Sequence, residues 1–222
     1  MEKVERWLPL SGVLYVVLGL VGVALVTDQP DFLPTGEEAA KWFVDDNSAV
    51  TGSGILWMLS LIPLLIFLGI LRNRMRAVEG SEDRLSWTAS TASVGGVTLV
   101  AAATSLQVMG ALRADEDGEI APGLAQLYLD ASGILYGAAA PILFGVGVLT
   151  TAALALHSGE LMPKWMAWVG LAFSIVAFIP PISWVFMFLL FNLWILALSI
   201  MWTVSSDDAD PTPAPSPGGS GF

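Results

Sequence analysis

Six runs of apolar residues, most of them long enough to cross a bilayer, dominate this chain of 222 residues. A membrane-crossing helix needs about 20 largely apolar residues, because roughly 30 Å of hydrocarbon is crossed at about 1.5 Å per residue. The fifth run is short, and Pro180-Pro181 leaves almost no loop before the sixth, so these two are expected to form a tight helical hairpin. The predicted spans are residues 7–27, 51–71, 87–112, 131–156, 165–179 and 183–204.

The composition supports this interpretation and excludes several classes of protein. Hydrophobic residues make up 55% of the chain and charged residues only 13%, with a mean hydropathy of +0.71, whereas soluble domains carry about a quarter charged residues. The net charge of −11 argues against a nucleic-acid partner. Without cysteine, and with His157 as the single histidine, the chain is expected to hold no metal and no cofactor.

Basic residues predict the orientation. Cytoplasmic loops of membrane proteins carry an excess of Lys and Arg, so both termini are expected in the cytoplasm and two acidic loops outside. The first run is too long for the apolar core of a cleaved signal peptide, so we expect it to be retained. Residues 205–222 are rich in Pro, Gly, Ser and Asp and are expected to form a disordered cytoplasmic tail. Lys3, Arg6, Arg72, Arg74, Arg76, Arg84 and Lys164 fall on the predicted inner side, and Lys41 and Arg113 on the outer.

A five-residue pattern occurs twice, as Ser53–Trp57 at the start of the second span and as Ser132–Tyr136 at the start of the fourth. Each copy is followed by a proline, Pro63 or Pro141, and preceded by a short amphipathic segment. The pattern suggests a repeated unit in which an extracellular amphipathic helix leads into a helical hairpin. The alternative is a chance similarity, because Gly, Leu and Ile are common in all the spans.

The periodicity of the amphipathic segments predicts which residues face inward. In the first segment, residues 37–46, Ala40, Phe43 and Val44 share a face, and Thr35 with Glu38 forms a capping box. In the second, residues 124–130, the predicted face consists of Leu124, Leu127 and Tyr128.

The residues inside the spans predict how the helices pack. The third span is rich in Gly, Ala, Ser and Thr, which allow close approach of helices in lipid, so it is expected to lie centrally. The sixth span is bulky almost all round and is expected to face lipid or a partner. Its Asn192 needs a hydrogen bond to another helix, to a water or to a second copy of the protein, and a contact between helices is favoured over one to a substrate.

Chemistry inside the membrane has little support in the sequence. No Asp, Glu, Lys or Arg falls in the middle of a predicted span, although proton-coupled carriers, voltage sensors and retinal proteins depend on such groups. His157 is interpreted as flanking a helix C-terminus. We therefore expect the protein not to be an enzyme.

A pocket open to the outer leaflet is the one composite site that the pattern suggests. Aromatic walls with a few polar groups suit a lipid or another hydrophobic small molecule. Tyr15 could add a hydroxyl to the same interior, although packing alone explains each of these residues well. The candidate lining residues are Ser53, Trp57, Ser132, Tyr136 and Asn192.

The chain resembles a family of bacterial integral membrane proteins known only as a domain of unknown function. The turn Leu161–Trp165, followed by Trp168–Gly170, is the most specific part of the resemblance, which spans most of residues 7–204. Its other parts are Leu8–Gly12, Ala39–Asp46 and Leu127–Asp130. The resemblance implies six helices and a plasma-membrane location, and it carries over no catalytic residue.

Taken together, the sequence predicts an all-α, six-helix membrane bundle with membrane lipids around it. The preferred function is a non-enzymatic binding or accessory subunit in the bilayer, with a homo-oligomer or another membrane protein as possible partner. The alternative is a small permease or a transporter of lipids or other hydrophobic molecules with an outward-facing pocket.

Overall fold

The computed structural model describes residues 7–26, 29–30, 34–81 and 83–207, and within these it contains helices and no strand. Thr27, at the end of the first predicted span, and residues 208–222 of the predicted tail lie outside the described residues. The described helices are α1 (Ser11–Ala24), α2 (Gly36–Asp45), α3 (Asn47–Glu79), α4 (Arg84–Asp117), α5 (Pro122–Ser158), α6 (Lys164–Ala177) and α7 (residues 183–207).

Four of these helices, α3, α4, α5 and α7, are long and apolar enough to cross a membrane. They contain the second, third, fourth and sixth predicted spans. The first and fifth predicted spans correspond to shorter apolar helices, Leu8–Ala24 and Lys164–Ala177. The 14 residues of α6 rise about 21 Å, which is less than the roughly 30 Å of a hydrocarbon layer. By length and composition, therefore, the structure gives four helices that could span a membrane.

Side chains and left-handed turns fix where the helices begin. Thr35 Oγ1 accepts the N–H of Glu38 at 3.3 Å, and the N–H of Thr35 donates to Glu38 Oε2 at 2.8 Å, which confirms the predicted capping box of α2. Because the backbone N–H of Thr35 stabilises the carboxylate, the pKa of Glu38 lies below its ordinary value. At the other end of α3, the carboxylate of Glu79 accepts the N–H groups of Leu85 at 2.6 Å and Ser86 at 2.9 Å, and so caps α4.

The two amphipathic segments pack against each other and close one end of the bundle. The second segment is not a separate helix, as the repeated unit predicted, but the beginning of α5. Gly36, the first residue of α2, lies so close to Pro122, the first residue of α5, that a Cβ on Gly36 would sit 2.8 Å from the Pro122 carbonyl oxygen. This small second core, which we call the cap, is built from Ala39, Trp42, Phe43, Val50, Ala111, Ala114, Ile120, Ala125 and Leu129.

The predicted inward faces of these segments were partly wrong. Phe43 is buried as predicted, with Ala40 and Val44 partly buried beside it, but Trp42 is buried as well. In the second segment the buried residues include Leu129, whereas Leu127 is 61% exposed. Because this segment continues directly into a long helix, its buried stripe is set by the cap rather than by the surface of a membrane.

The helix at the centre of the bundle is α5, not α4 as its small residues predicted. Of the most apolar stretch of each helix, 56% is buried in α5 and 39% in α4. Helix α5 packs against α4 and α6 along its length and also meets α2, α3 and α7. The small residues of α4 do allow close packing, since a Cβ on Gly96 would lie 2.9 Å from the ring of Phe144.

Helix α7 contributes to the core, although its bulky residues predicted a lipid-facing helix. Phe186, Phe191 and Ile195 are fully or almost fully buried, whereas Trp184 and Leu193 are about half exposed. One stripe of α7 therefore packs on α1 and on the neighbouring helices, and only the opposite stripe faces outward.

Candidate functional site

The two copies of the repeated pattern meet through their aromatic residues. The indole ring of Trp57 on α3 and the phenol ring of Tyr136 on α5 pack edge to face, with ring centroids 5.6 Å apart and an interplanar angle of 85°. Edge-to-face packing of this kind is favourable because the positive edge of one ring meets the negative face of the other. Two of the five residues of the predicted pocket are thus in direct contact.

A third ring, which the sequence did not predict as part of the site, completes this cluster. Phe188 of α7 packs on Tyr136 with ring centroids 5.0 Å apart, and its side chain is 42% exposed. On the other side, Trp57 lies over α1, where a Cβ on Gly22 would be 3.1 Å from the indole. We call Trp57, Tyr136 and Phe188 the aromatic triad. It joins α3, α5 and α7, and Phe188 gives it an outward-facing edge.

Tyr136 lies in a π-helical turn, Leu135–Ala139, which interrupts α5. Pro141 follows this turn and has no N–H, so the Gly137 carbonyl loses the donor that an α-helix would give it. The hydroxyl of Ser183, at the start of α7, donates to that carbonyl and also to the Pro180 carbonyl at 2.9 Å. A side chain from α7 thus supplies the missing hydrogen bond.

A second π-helical turn, Phe186–Leu190, lies in α7 and carries Phe188. Here the side-chain amide of Asn192 donates to the carbonyls of Met187 at 2.9 Å and Phe188 at 3.1 Å. Asn192 therefore bonds within its own helix and not, as predicted, to another one. The contact between Tyr136 and Phe188 brings the two π-turns against each other, and π-turns occur often at functional sites.

Two buried tyrosine hydroxyls beside the triad have no hydrogen-bond partner among the residues that the structure describes. They belong to Tyr136 itself and to Tyr15 of α1, whose side chain is completely buried. The two tyrosines contact nearby positions of α7, Tyr15 through Phe191 and Tyr136 through Phe188. A buried hydroxyl without a partner lowers the stability of the folded state by about 1–3 kcal/mol. The hydrocarbon of a bilayer contains no water that could act as the partner. The pair therefore forms a polar spot that favours an acceptor oxygen.

Closely packed aromatic rings adjoin this polar spot at Tyr15. Tyr15 packs against Phe191 with ring centroids 6.4 Å apart, and Phe191 packs against Phe144 at 4.5 Å and Phe186 at 5.7 Å. Phe144, Phe186 and Phe191 are at most 2% exposed. We call Phe144, Phe186 and Phe191, the buried rings next to Tyr15, the floor of the site.

The remaining serines of the predicted pocket have structural partners or lie beside the triad. The Ser132 hydroxyl accepts a hydrogen bond from Gln107 Nε2 at 3.2 Å and donates to the Leu129 carbonyl at 2.9 Å, so it joins α4 to α5. Ser53 is largely buried one turn before Trp57, and its carbonyl oxygen would lie 3.4 Å from a Cβ on Gly22. The structure thus brings Trp57 and Tyr136 together and uses Ser132 for helix packing.

The described residues include no group of three or more His, Asp or Glu side chains that could hold a metal ion. Phe188 and Ser183 are the site residues that the sequence did not predict. The signal that could have suggested Ser183 is Pro141, because a proline inside a helix leaves a carbonyl that needs another donor.

Comparison of the chain with protein-family models, with curated proteins and with solved structures finds no match. The resemblance described from the sequence therefore stays a prediction.

Proposed function

We propose that the chain is a six-span, non-enzymatic binding subunit of the plasma membrane, with both termini in the cytoplasm. The four long apolar helices support a membrane protein. The shorter helices α1 and α6 pack along α3 and α5, and Trp165 and Trp168 at the start of α6 are 66% and 62% exposed. Exposed tryptophans of this kind anchor helix ends at a membrane surface, which favours α6 as a short fifth span.

The charge distribution supports the proposed orientation. Arg72, Arg74 and Arg76 lie in the last turns of α3, and Arg84 begins α4, so four cations share the end of the bundle opposite the cap. The positive-inside rule places that end in the cytoplasm. The cap and the aromatic triad then belong to the outer half of the molecule.

The bound molecule that fits the triad is hydrophobic and carries a hydrogen-bond acceptor such as a carbonyl oxygen. One observation carries this proposal: two buried, unpartnered tyrosine hydroxyls lie beside three aromatic rings at the contact of two π-turns. The rings provide apolar walls, and the hydroxyls of Tyr15 and Tyr136 provide donors that fix the orientation of a ligand. The exposed edge of Phe188 places the site within reach of the lipid phase.

Binding is favoured over transport because of the floor of the site. Phe144, Phe186 and Phe191 are fully or almost fully buried, Phe191 packs on the other two, and Phe191 also packs on Tyr15. A permeating molecule would have to displace these rings, whereas a bound molecule only has to reach the hydroxyls.

Retention of two fluorescent probes by the detergent-solubilised protein tests this function. Laurdan is a hydrophobic ketone with an acceptor oxygen, and diphenylhexatriene is a hydrophobic molecule without one. Wild-type protein should retain laurdan more strongly during gel filtration. The Tyr136→Phe variant should weaken laurdan binding about tenfold, since one hydrogen bond to a buried group is lost, and should leave diphenylhexatriene unchanged.

Two further variants serve as references for this measurement. Trp57→Ala removes a wall of the site and should reduce the retention of both probes. Trp168→Ala removes an exposed tryptophan near the start of α6, which follows the end of α5 opposite the triad, and should reduce neither. Equal laurdan retention by wild type, Tyr136→Phe and Trp57→Ala would refute the proposal.

A further inference from the structure

A second site lies at the other end of the bundle, where Trp202 of α7 contacts two residues of α3. The rings of Trp202 and Phe67 stack with centroids 5.7 Å apart at an angle of 21°, and the guanidinium carbon of Arg74 lies 4.5 Å from the centroid of the Trp202 ring. The indole N–H donates to the Leu161 carbonyl at 3.3 Å, and the side chain is only 2% exposed. Trp202 is thus a rigid support for the guanidinium.

The ring of Trp202 lies under the guanidinium carbon of Arg74 and offers no acceptor to its N–H groups. A guanidinium on an aromatic face is attracted through its plane, and its N–H groups point outward in that plane. Among the residues that the structure describes, Arg74 has no hydrogen bond and no ion pair, and it is half-buried. A positioned guanidinium of this kind is the preferred partner of phosphate, which it binds with two parallel hydrogen bonds.

A hollow of about 230 Å³ lies next to this guanidinium. It is lined by Arg74, Ala77 and Val78 of α3 and by Glu160 and Leu161 of the turn after α5. One cation and one anion thus line the same hollow, yet no ion pair joins them. Three apolar side chains cover the rest of its wall.

We infer that this hollow binds the headgroup of a phospholipid that carries both a phosphate and a primary ammonium, which is the chemistry of phosphatidylethanolamine. The phosphate would bind the guanidinium of Arg74, and the ammonium would bind the carboxylate of Glu160. The apolar lining suits the glycerol and the first methylene groups of the chains. A purely anionic headgroup would meet repulsion from Glu160, and a quaternary ammonium could not donate a hydrogen bond to it.

This site does not depend on the ligand proposed for the aromatic triad, and the two sites lie at opposite ends of the bundle. It depends on the basic end of α3 lying at a membrane surface, as the four arginines near it favour. Failure of the laurdan experiment would therefore leave this inference standing, and the reverse also holds.

Native mass spectrometry of the full chain in mixed micelles tests the inference, with short-chain phosphatidylethanolamine, phosphatidylglycerol or phosphatidylcholine added in turn. Wild-type protein should bind phosphatidylethanolamine about tenfold more tightly than the other two lipids, since one charge-assisted hydrogen bond distinguishes them. Arg74→Gln should lose this binding. Arg72→Gln is the matched control, because Arg72 lines the groove between α3 and α4 instead, and it should bind like wild type.

Glu160→Gln separates a headgroup site from a merely structural role of Arg74. Glu160 is exposed, so the variant is expected to fold, and it should lose the preference for phosphatidylethanolamine over phosphatidylglycerol. Equal losses in Arg72→Gln and Arg74→Gln, or an unchanged preference in Glu160→Gln, would overturn the inference. So would binding of free phosphoethanolamine as tight as that of the lipid, because a soluble metabolite would then be the natural ligand.

Discussion

The two copies of the repeated pattern begin with almost the same residues but form different structures. In the first, α2 ends at Asp45 and α3 runs as an uninterrupted α-helix through Pro63. In the second, the amphipathic segment and the span form one helix, and a π-turn precedes Pro141. The difference shows that a proline in a helix does not by itself determine the backbone. In α5 the hydroxyl of Ser183 supplies the donor that Pro141 lacks.

Packing around the copies differs as strongly as their backbones. Gly54 of the first copy lies tightly against α4, where a Cβ would be 2.2 Å from a methyl carbon of Val108. Gly133, its counterpart in the second copy, has open space at that position. Glycine at this position therefore allows close helix packing in one hairpin and has no such role in the other.

The largest effect should come from replacing these two glycines by alanine. Gly54→Ala should lower the free energy of unfolding by about 2 kcal/mol, because α3 and α4 must move apart. Gly133→Ala should leave it unchanged or raise it by about 0.5 kcal/mol, since alanine favours a helix. Reversible unfolding in mixed detergent micelles measures both. Equal effects would show that the hairpins pack alike.

A smaller effect is expected from Ser183→Ala, which removes the donor to the Gly137 carbonyl. The buried carbonyl would then lack a partner, at a cost of about 1 kcal/mol. Ser60→Ala is the control, because Ser60 donates to the Trp57 carbonyl at 2.7 Å within an uninterrupted helix, and its loss should cost less. Unfolding measurements on both variants test the difference.

A double variant sharpens this test. In a Pro141→Ala background the alanine N–H can bond the Gly137 carbonyl, so adding Ser183→Ala should cost almost nothing. A full cost in that background would mean that the serine acts in another way.

The smallest effect concerns the pH dependence of stability that the capping box gives to the start of α2. The two copies differ here as well, since α5 begins at Pro122 without a side-chain cap. The pKa of Glu38 is lowered in the folded protein, mainly by the N–H of Thr35. Its contribution is therefore complete above the ordinary value of 4.5 and is lost as the pH falls through the lowered folded pKa. Glu38→Gln should remove this part of the pH dependence. The measurement is the melting temperature of wild type and of the variant, each plotted against pH across that range. Parallel curves would contradict the prediction.

The sequence predicted the parts of the fold that rest on local patterns. Long apolar runs gave the positions of α3, α4, α5 and α7, the Thr35–Glu38 spacing gave a helix start, and the repeated pattern pointed to Trp57 and Tyr136. These features depend on residues that are neighbours in the chain, so periodicity and spacing are enough to detect them.

The features that were missed depend on residues far apart in the chain. The hydroxyl of Ser183 donates to a carbonyl 46 positions earlier. Trp202 of α7 contacts the ring of Phe67 and the guanidinium of Arg74, which both lie in α3. The predicted inward face of residues 124–130 was wrong because contacts with α2 determine which of these residues are buried. No window of the sequence contains both partners of these contacts.

The π-turn of α5 has a consequence for which side chains α5 presents to its neighbours beyond the triad. An i to i+5 turn takes up one residue more than the α-helical turn it replaces, so every side chain after Ala139 is rotated about the axis, while α3 undergoes no such rotation. Around Trp57 and Tyr136 the two hairpins have similar sequences. Beyond these two residues, α3 and α5 present different sets of side chains to their neighbours. A single extra residue in that turn is therefore enough to give two hairpins of similar sequence different packing surfaces.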